Sequence, residues 1–383
     1  MNDYRLVGIS ILLLFAGFVA PSFAVLSPAG EEVNLPQSVD PIAPKVGLPY
    51  STGDVFVSVA NGMVKQYDGT GVFIQDILCG SGASGFTTGS AFDSDMNFYV
   101  TMYSDNAICK NDDMGNFVSN FGVGAPFANP ESLVFDAAGN LYNGGPYQDI
   151  LKFAPDGTLL DNFNIPLDFL ESDWIDLAAD QCTMFIASEG TNIKRHDVCT
   201  DTVLLNFNVA PLPGSNAFAL RLLDDGGLLV ADRQMIVRLD AAGAVIDTYD
   251  ITGNGNWFAL NLDPDGNSFW SADFGTSQVC KFDIATGGGV DNELLCFNTG
   301  TGSNTAFGLS LKGEITQAQC PPGTHGTPPN CIPDGKVGGQ LLPIDATALL
   351  VAGAQTNAVW ILSALAVIGS VAFGTLYIKT KRD

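Results

Sequence analysis

Short runs in which apolar and polar residues alternate recur along most of this chain, and their spacing is regular. Phe56, Tyr99, Tyr142, Phe185, Leu229 and Trp270 occupy one aligned position, at intervals of 43, 43, 43, 44 and 41 residues. A second series keeps step with the first. The segments VKQYD, ICKND, ILKFA, IKRHD, IVRLD and VCKFD place Gln66, Lys110, Lys152, Arg195, Arg238 and Lys281 at intervals of 42 to 44. Period-two alternation predicts strands, and turns such as AAG, PDG, DDG and DPDG, in which glycine supplies a positive φ, predict tight hairpins between them. Each copy therefore reads as a four-stranded antiparallel unit, seen in SLVFDAAGNLYN followed by ILKFAPDGTLLDNF.

Repeats of this length, made of sheets that must bury both faces against their neighbours, predict a six-bladed β-propeller. The first copy is one strand short, since DVFVSVANGMVKQYDGTGVFIQDIL begins at a second strand. The missing strand is supplied from the other end. TAFGLSLKG (305–313) matches NWFALNLDP and NAFALRLLD, which open other copies. The expected propeller spans 51–313 and is all-β, with blade one shared between the two ends of the ring so that no sheet edge is left open at the seam.

The flanking segments predict a location. An apolar run over 6–20 behind Arg5, followed by Ser22-Phe23-Ala24, reads as a signal peptide over 1–24, with a linker over 25–50. Residues 358–378 carry no charge and precede Lys379, Lys381 and Arg382, the pattern of a transmembrane helix with a cytoplasmic basic tail over 379–383. A Pro/Gly-rich linker and juxtamembrane segment fills 314–357. The expectation is a single-pass membrane protein with its propeller outside the cell. Net charge is −25, and residues 25–357 hold 12 basic against 39 acidic side chains, which disfavours nucleic acid as a partner.

Eight cysteines, an even number in an exported segment, predict disulfides rather than a zinc site, and no CxxC occurs. Cys182 and Cys199 flank a hairpin near Gly190 symmetrically, and Cys280 and Cys296 flank Gly287–Gly289 in the same way. Both pairs are expected to bridge adjacent strands. Cys320 and Cys331 close the segment CPPGTHGTPPNC, and Cys79 pairs with Cys109 by exclusion.

Candidate chemistry is sparse. His196 shares its repeat position with Tyr67, Asn111, Phe153, Leu239 and Phe282, so it reads as a packing residue, and His325 lies in the linker. The turns Asp93-Ser-Asp95-Met-Asn97 and Asp263-Pro-Asp265-Gly-Asn267 lack the glutamate of a calcium loop and read as turn chemistry. The first strand of each blade should line the axis, with small residues Gly89, Ser132, Ala219, Ala259 and Gly308 where it is crowded. Just before them stand Asn129, Glu131, Glu171, Asp173, Asn216, Asn256 and Asn304. Of these, Glu131, Asp173, Asn216, Asn256 and Asn304 are the candidate ligands at the axial mouth for a divalent cation such as Ca2+ or for a polar molecule. Arg221 and Asn261, two residues past the small position, are expected in the channel.

Small-apolar first strands, D-G-N turns, strand endings such as LLVAD and FWSAD, and the I-x-[KR]-[FL]-D third strand together resemble the NHL-type propellers from 51 to 312. The wider set is similar to gluconolactonase-type hydrolases and streptogramin-lyase-like proteins. That resemblance implies a divalent metal at the axis, for which Glu131, Asn216 and Asn256 are the matching positions. The run over 338–378 resembles the C-terminal anchor of surface proteins of ammonia-oxidising archaea, which implies an archaeal cell surface. Two functions are expected in turn. One is a surface-anchored binding module for an envelope protein, polymer or small polar ligand; the other is a metal-dependent lactonase- or lyase-like hydrolase.

Overall fold

A computed structural model describes residues 47–60, 62–80, 85–145, 149–169, 171–314, 324–325 and 332–333. The chain divides into two units, 1–317 and 318–383. Blade one contains β1 (Val55–Val59), β2 (Met63–Tyr67) and β3 (Phe73–Leu78). Blade two is β4 (Thr87–Phe92), β5 (Phe98–Met102), β6 (Ala107–Asn111) and β7 (Phe117–Phe121). Blade three is β8 (Ser132–Phe135), β9 (Leu141–Gly144), β10 (Asp149–Phe153) and β11 (Leu159–Asn164). Blade four is β12 (Trp174–Leu177), β13 (Thr183–Ala187), β14 (Lys194–Asp197) and β15 (Thr202–Val203). Blade five is β16 (Ala219–Leu222), β17 (Leu228–Asp232), β18 (Met235–Leu239) and β19 (Val245–Asp250). Blade six is β20 (Trp257–Leu262), β21 (Ser268–Asp273), β22 (Gln278–Asp283) and, after the short β23 (Gly289–Val290), β24 (Leu295–Asn298). β25 (Ala306–Leu311) completes blade one in the order β25-β1-β2-β3. β23 leaves its own blade and pairs in parallel with β19, giving blade five a fifth strand. In the second unit, β26 (Thr324–His325) pairs with β27 (Ile332–Pro333).

The ring closes as the repeat requires. β25 lies antiparallel to β1, with Phe56 opposite Ser310 and Ser58 opposite Gly308. Tyr67 Oη donates to the Thr299 carbonyl at 2.9 Å, tying β2 to the end of blade six. Hydrogen bonds near the axis join each blade to the next. Ser90 bonds Ser310 at 2.8 Å, Gly89 N donates to the Glu131 carbonyl, and Ser132 Oγ donates to the Ser172 carbonyl. Ala217 N donates to the Gly190 carbonyl, Trp257 N to the Arg233 carbonyl, and Asn261 Nδ2 to the Leu309 carbonyl.

The two repeating series are cross-strand partners. Tyr99 faces Lys110, Tyr142 faces Lys152, Phe185 faces Arg195, Leu229 faces Arg238, Trp270 faces Lys281, and Phe56 faces Gln66. The cation lies over its ring, at 5.1 Å in Lys110–Tyr99 and 4.9 Å in Lys152–Tyr142. In blades two, three and six the same cation reaches the aspartate that opens its blade's first turn, as in Lys281–Asp263 at 2.8 Å. Cross-strand pairs of this kind are the unit of sheet stabilisation, which is why the residue types recur together. The aspartates are thus spent on turns: Asp93 Oδ1 accepts from the backbones of Asp95 and Asn97, and Asp263 Oδ1 accepts from Asp265 N.

Disulfides join Cys79 to Cys109, Cys182 to Cys199 and Cys280 to Cys296. Cys320 and Cys331 lie outside the described residues, as do the predicted signal peptide and the 358–378 segment. No helix among the described residues is long and apolar enough to cross a membrane. His196 is 1% exposed, packs its ring against Phe163, and sets Nε2 3.0 Å from Asp201.

Crowding at the axis makes two glycines indispensable. A Cβ on Gly308 would collide with the Thr88 carbonyl, and one on Gly89 with the Glu131 carbonyl, in both cases fixed backbone. Gly308→Ala and Gly89→Ala should each destabilise the fold by about 1–3 kcal/mol. Urea melts followed by tryptophan fluorescence would measure this; an unchanged midpoint would mean that the inner strands are not packed as described.

Candidate functional site

The first strand of each blade places one residue opposite the anchor slot: Ser310, Ala91, Val134, Asp176, Arg221 and Asn261. These positions sit deep in the ring. Arg221 Nε donates to Glu314 Oε1 at 2.7 Å, and its guanidinium lies 5.1 Å from the Trp174 ring. Glu314, just past β25, also accepts from Leu262 N, and Asp176 accepts from Leu222 N. This buried set lies across one end of the channel beside a cavity of about 190 Å³. Arg221 is therefore engaged in an internal ion pair, and Asn261 in the bond between blades six and one.

Three residues earlier on each first strand, the same register reads Phe307, Thr88, Glu131, Asp173, Phe218 and Phe258. This slot forms the opposite mouth, and it is split. Blades three and four supply carboxylates, whereas blades five, six and one supply phenyl rings. On the acidic side, carboxylate oxygens of Glu131, Glu171 and Asp173 lie within 4.8 Å of one another. Asp173 is 8% exposed, and Glu131 Oε2 and Asp173 Oδ2 are buried without a hydrogen-bond donor. Buried polar atoms are normally satisfied, so two orphans on facing groups mark a place where something positive belongs.

Electrostatics reflect the crowding. Burial, then repulsion from Glu171 and Glu189, pushes the Glu131 carboxyl up to about 8. Burial and then Glu131 hold Asp173 well above the carboxylate range. Glu189, at the β13–β14 turn, is raised by burial and then by Glu171, with Arg233 opposing. Tyr103, after β5, is pushed up to about 12 by burial and then by the same four carboxylates.

The other sequence candidates lie differently. Asn216 Nδ2 donates to the Glu189 carbonyl at 2.9 Å and its Oδ1 accepts from Arg233 and Ser215, so it lines the acidic side as a support. Asn129 Nδ2 donates to the Tyr103 carbonyl at 3.1 Å. Asn256 is half-buried, its backbone N held by Asp273, and Asn304 is exposed with its N donating to the Gly275 carbonyl. Both belong to blades whose mouth slot is phenylalanine. Glu189, Tyr103 and the phenyl arc were not among the sequence candidates. The repeat register contains most of them, since the slot three before the axial one yields Phe218, Phe258 and Phe307, and the position four past the anchor yields Tyr103, Glu189 and Phe274.

Comparison with known proteins bears on the fold. No family profile and no curated protein matches the sequence. Among solved structures, a nidogen/laminin complex is similar with a TM-score of 0.54 and 15% identity, covering 69% of this chain and 99% of that one. A streptogramin B lyase is similar with a TM-score of 0.50 and 18% identity, covering 72% and 93%. The likeness is one of fold, a β-propeller. At these identities it assigns no activity.

Raised carboxyl pKa values set a pH dependence. Glu131 keeps its proton in the folded state up to about pH 8, whereas the unfolded chain releases it near 4.5. The folded state binds more protons between these limits, so this group's contribution to stability falls as pH rises from about 4.5 to 8. Glu131→Gln should raise the melting temperature at pH 8 by roughly 5 °C and leave it nearly unchanged at pH 4.5. Calorimetric melts across that range would check it; parallel profiles for the two proteins would contradict the assignment.

Proposed function

We propose that this protein is a membrane-anchored propeller displayed outside the cell, and that it binds ligands at the acidic mouth of its channel. The observation that carries the reading is the meeting of Glu131, Glu171 and Asp173 with buried, donorless oxygens. Three further observations agree with it. The opposite end of the channel holds the Arg221–Glu314 pair, the surrounding charge is negative, and Arg233 is the cation that offsets Glu189. Such a pocket favours a positively charged group, whether carried by an envelope protein, by a polymer or by a small molecule. The predicted signal peptide and 358–378 segment support display at the surface.

A second reading follows from the same trio. Carboxylate oxygens this close suit a hard divalent cation such as Ca2+, with Glu131, Glu171 and Asp173 as the residues that would hold it. A bound divalent ion would supply Lewis acidity, as a lactonase- or lyase-like hydrolase requires. Asn216 would join such a set only by turning from its side-chain partners Glu189, Arg233 and Ser215, while Asn256 and Asn304 stand on the blades whose mouth slot is phenylalanine.

The two readings separate by titration of the full chain in nanodiscs, with arginine amide, Ca2+ and Mg2+ tested individually. Because Glu131 holds its proton near neutral pH, ligand cations should bind with release of about one proton, seen as a buffer-dependent heat, and more tightly at pH 8 than at pH 6. Glu171→Gln should weaken binding by roughly tenfold. Stoichiometric metal retained through dialysis would favour the hydrolase reading. Absence of heat with every cation at millimolar concentration would rule out the mouth as a cation site.

A further inference from the structure

The phenyl side of the mouth extends beyond the three slot residues. Phe86, leading into β4, lies 4.6 Å from Phe307 between ring centroids; Phe307 lies 5.1 Å from Phe274, Phe274 5.8 Å from Phe258, and Phe258 4.7 Å from Phe218. These five rings come from blades two, one, six and five, and form one continuous arc. Phe218 is nearly buried, Phe258, Phe274 and Phe307 are half-buried, and Phe86 is 44% exposed. Propeller closure does not require aromatic residues here. Blade two closes with Thr88 in the slot, and blades three and four close with carboxylates. The arc is therefore an apolar stretch at the same level of the ring that the carboxylates occupy in blades three and four.

We propose that this mouth recognises a peptide segment in which an arginine stands among large apolar residues, the guanidinium entering the Glu131–Glu171–Asp173 corner and the apolar neighbours lying along the phenyl arc. The proposal rests on the cation-binding reading and adds the rest of the ligand to it. Charge complementarity fixes the first half. Paired carboxylates match the planar fork of a guanidinium better than the point charge of an ammonium. Geometry fixes the second, because a run of rings drawn from four blades offers successive contacts to successive side chains, and ring edges and faces also favour a nearby cation. A strongly hydrated inorganic ion would leave the arc without a partner.

The test uses the full chain in lipid nanodiscs and an end-blocked, fluorescein-labelled Leu-Phe-Arg-Leu peptide, read by anisotropy. Three comparison peptides replace arginine with lysine, arginine with citrulline, or the three apolar residues with serine. Citrulline should weaken binding tenfold or more and lysine severalfold. The serine peptide should bind at least fivefold more weakly, and Phe258→Ser and Phe86→Ser should weaken the parent peptide while leaving the serine peptide unchanged. Phe86 is exposed, so its variant tests the arc without threatening the core. Equal binding of parent and serine peptides, unaffected by both phenylalanine variants, would overturn the arc while leaving cation binding intact. Equal binding of the citrulline peptide, or no response to Glu171→Gln, would overturn the cation reading itself. No binding of any peptide at millimolar concentration would overturn the peptide proposal, with the arginine amide titration deciding the earlier reading separately.

Discussion

Close backbone contact around the axis is the constraint on which the rest of this structure depends. Six inner strands converge until the amide of Gly89 meets the carbonyl of Glu131 at 2.5 Å and Gly308 rests on the Thr88 carbonyl. Five of the six blades accordingly place glycine, alanine or serine at that level, and blade four alone places a large residue there, Trp174, whose ring lies beside the Arg221 guanidinium. One level away, towards either end, the strands diverge enough to admit larger groups. The protein fills one end with the Arg221–Glu314 pair and leaves the other lined by carboxylates and phenyl rings. The room for both sets follows from how tightly the middle is drawn in.

The blades themselves are held by a local device repeated around the ring. In blades two, three, four and six an aromatic ring on the second strand lies beneath a lysine or arginine of the third, and that cation also reaches a turn aspartate in Lys110–Asp93, Lys152–Asp136 and Lys281–Asp263. The excess of acidic residues is therefore of two kinds. Turn aspartates such as Asp93, Asp112 and Asp136 accept from their own turn backbone and from the asparagine that closes the turn. Glu131 and Asp173 lack such donors. Composition registers both kinds alike, and only geometry separates them.

Most of the architecture was legible because it is periodic. The Tyr99–Lys110 and Tyr142–Lys152 pairings appear in the sequence as two series in step, and the closing role of β25 follows from counting strands in the first copy. Two disulfides, Cys182–Cys199 and Cys280–Cys296, were legible for the same reason, since cysteines symmetric about a hairpin turn face each other, whereas Cys79–Cys109 joins two blades and was reached only by exclusion. The fifth strand of blade five was not, because Gly289–Val290 is too short to leave a pattern and its partner belongs to another copy. The site was legible in part. Glu131, Glu171 and Asp173 could be found as oxygens preceding a first strand, but preceding residues alternate in direction, and proximity along the chain does not say which of them meet. Glu189 and Tyr103 follow second strands and approach the mouth from across the hairpin. Burial, which orphans two oxygens, is a property of neighbouring blades together and has no local signature.

Completion of blade one by β25 has a mechanical side. The strand runs from the open mouth inward and ends beside Glu314, where the chain leaves the ring, while its hydrogen bonds to β1 lie across its length. Tension applied at residue 314 along the strand loads that whole ladder at once, in shear, instead of peeling one bond after another. The ring's seam is thus oriented to bear a pull from its own C-terminal side.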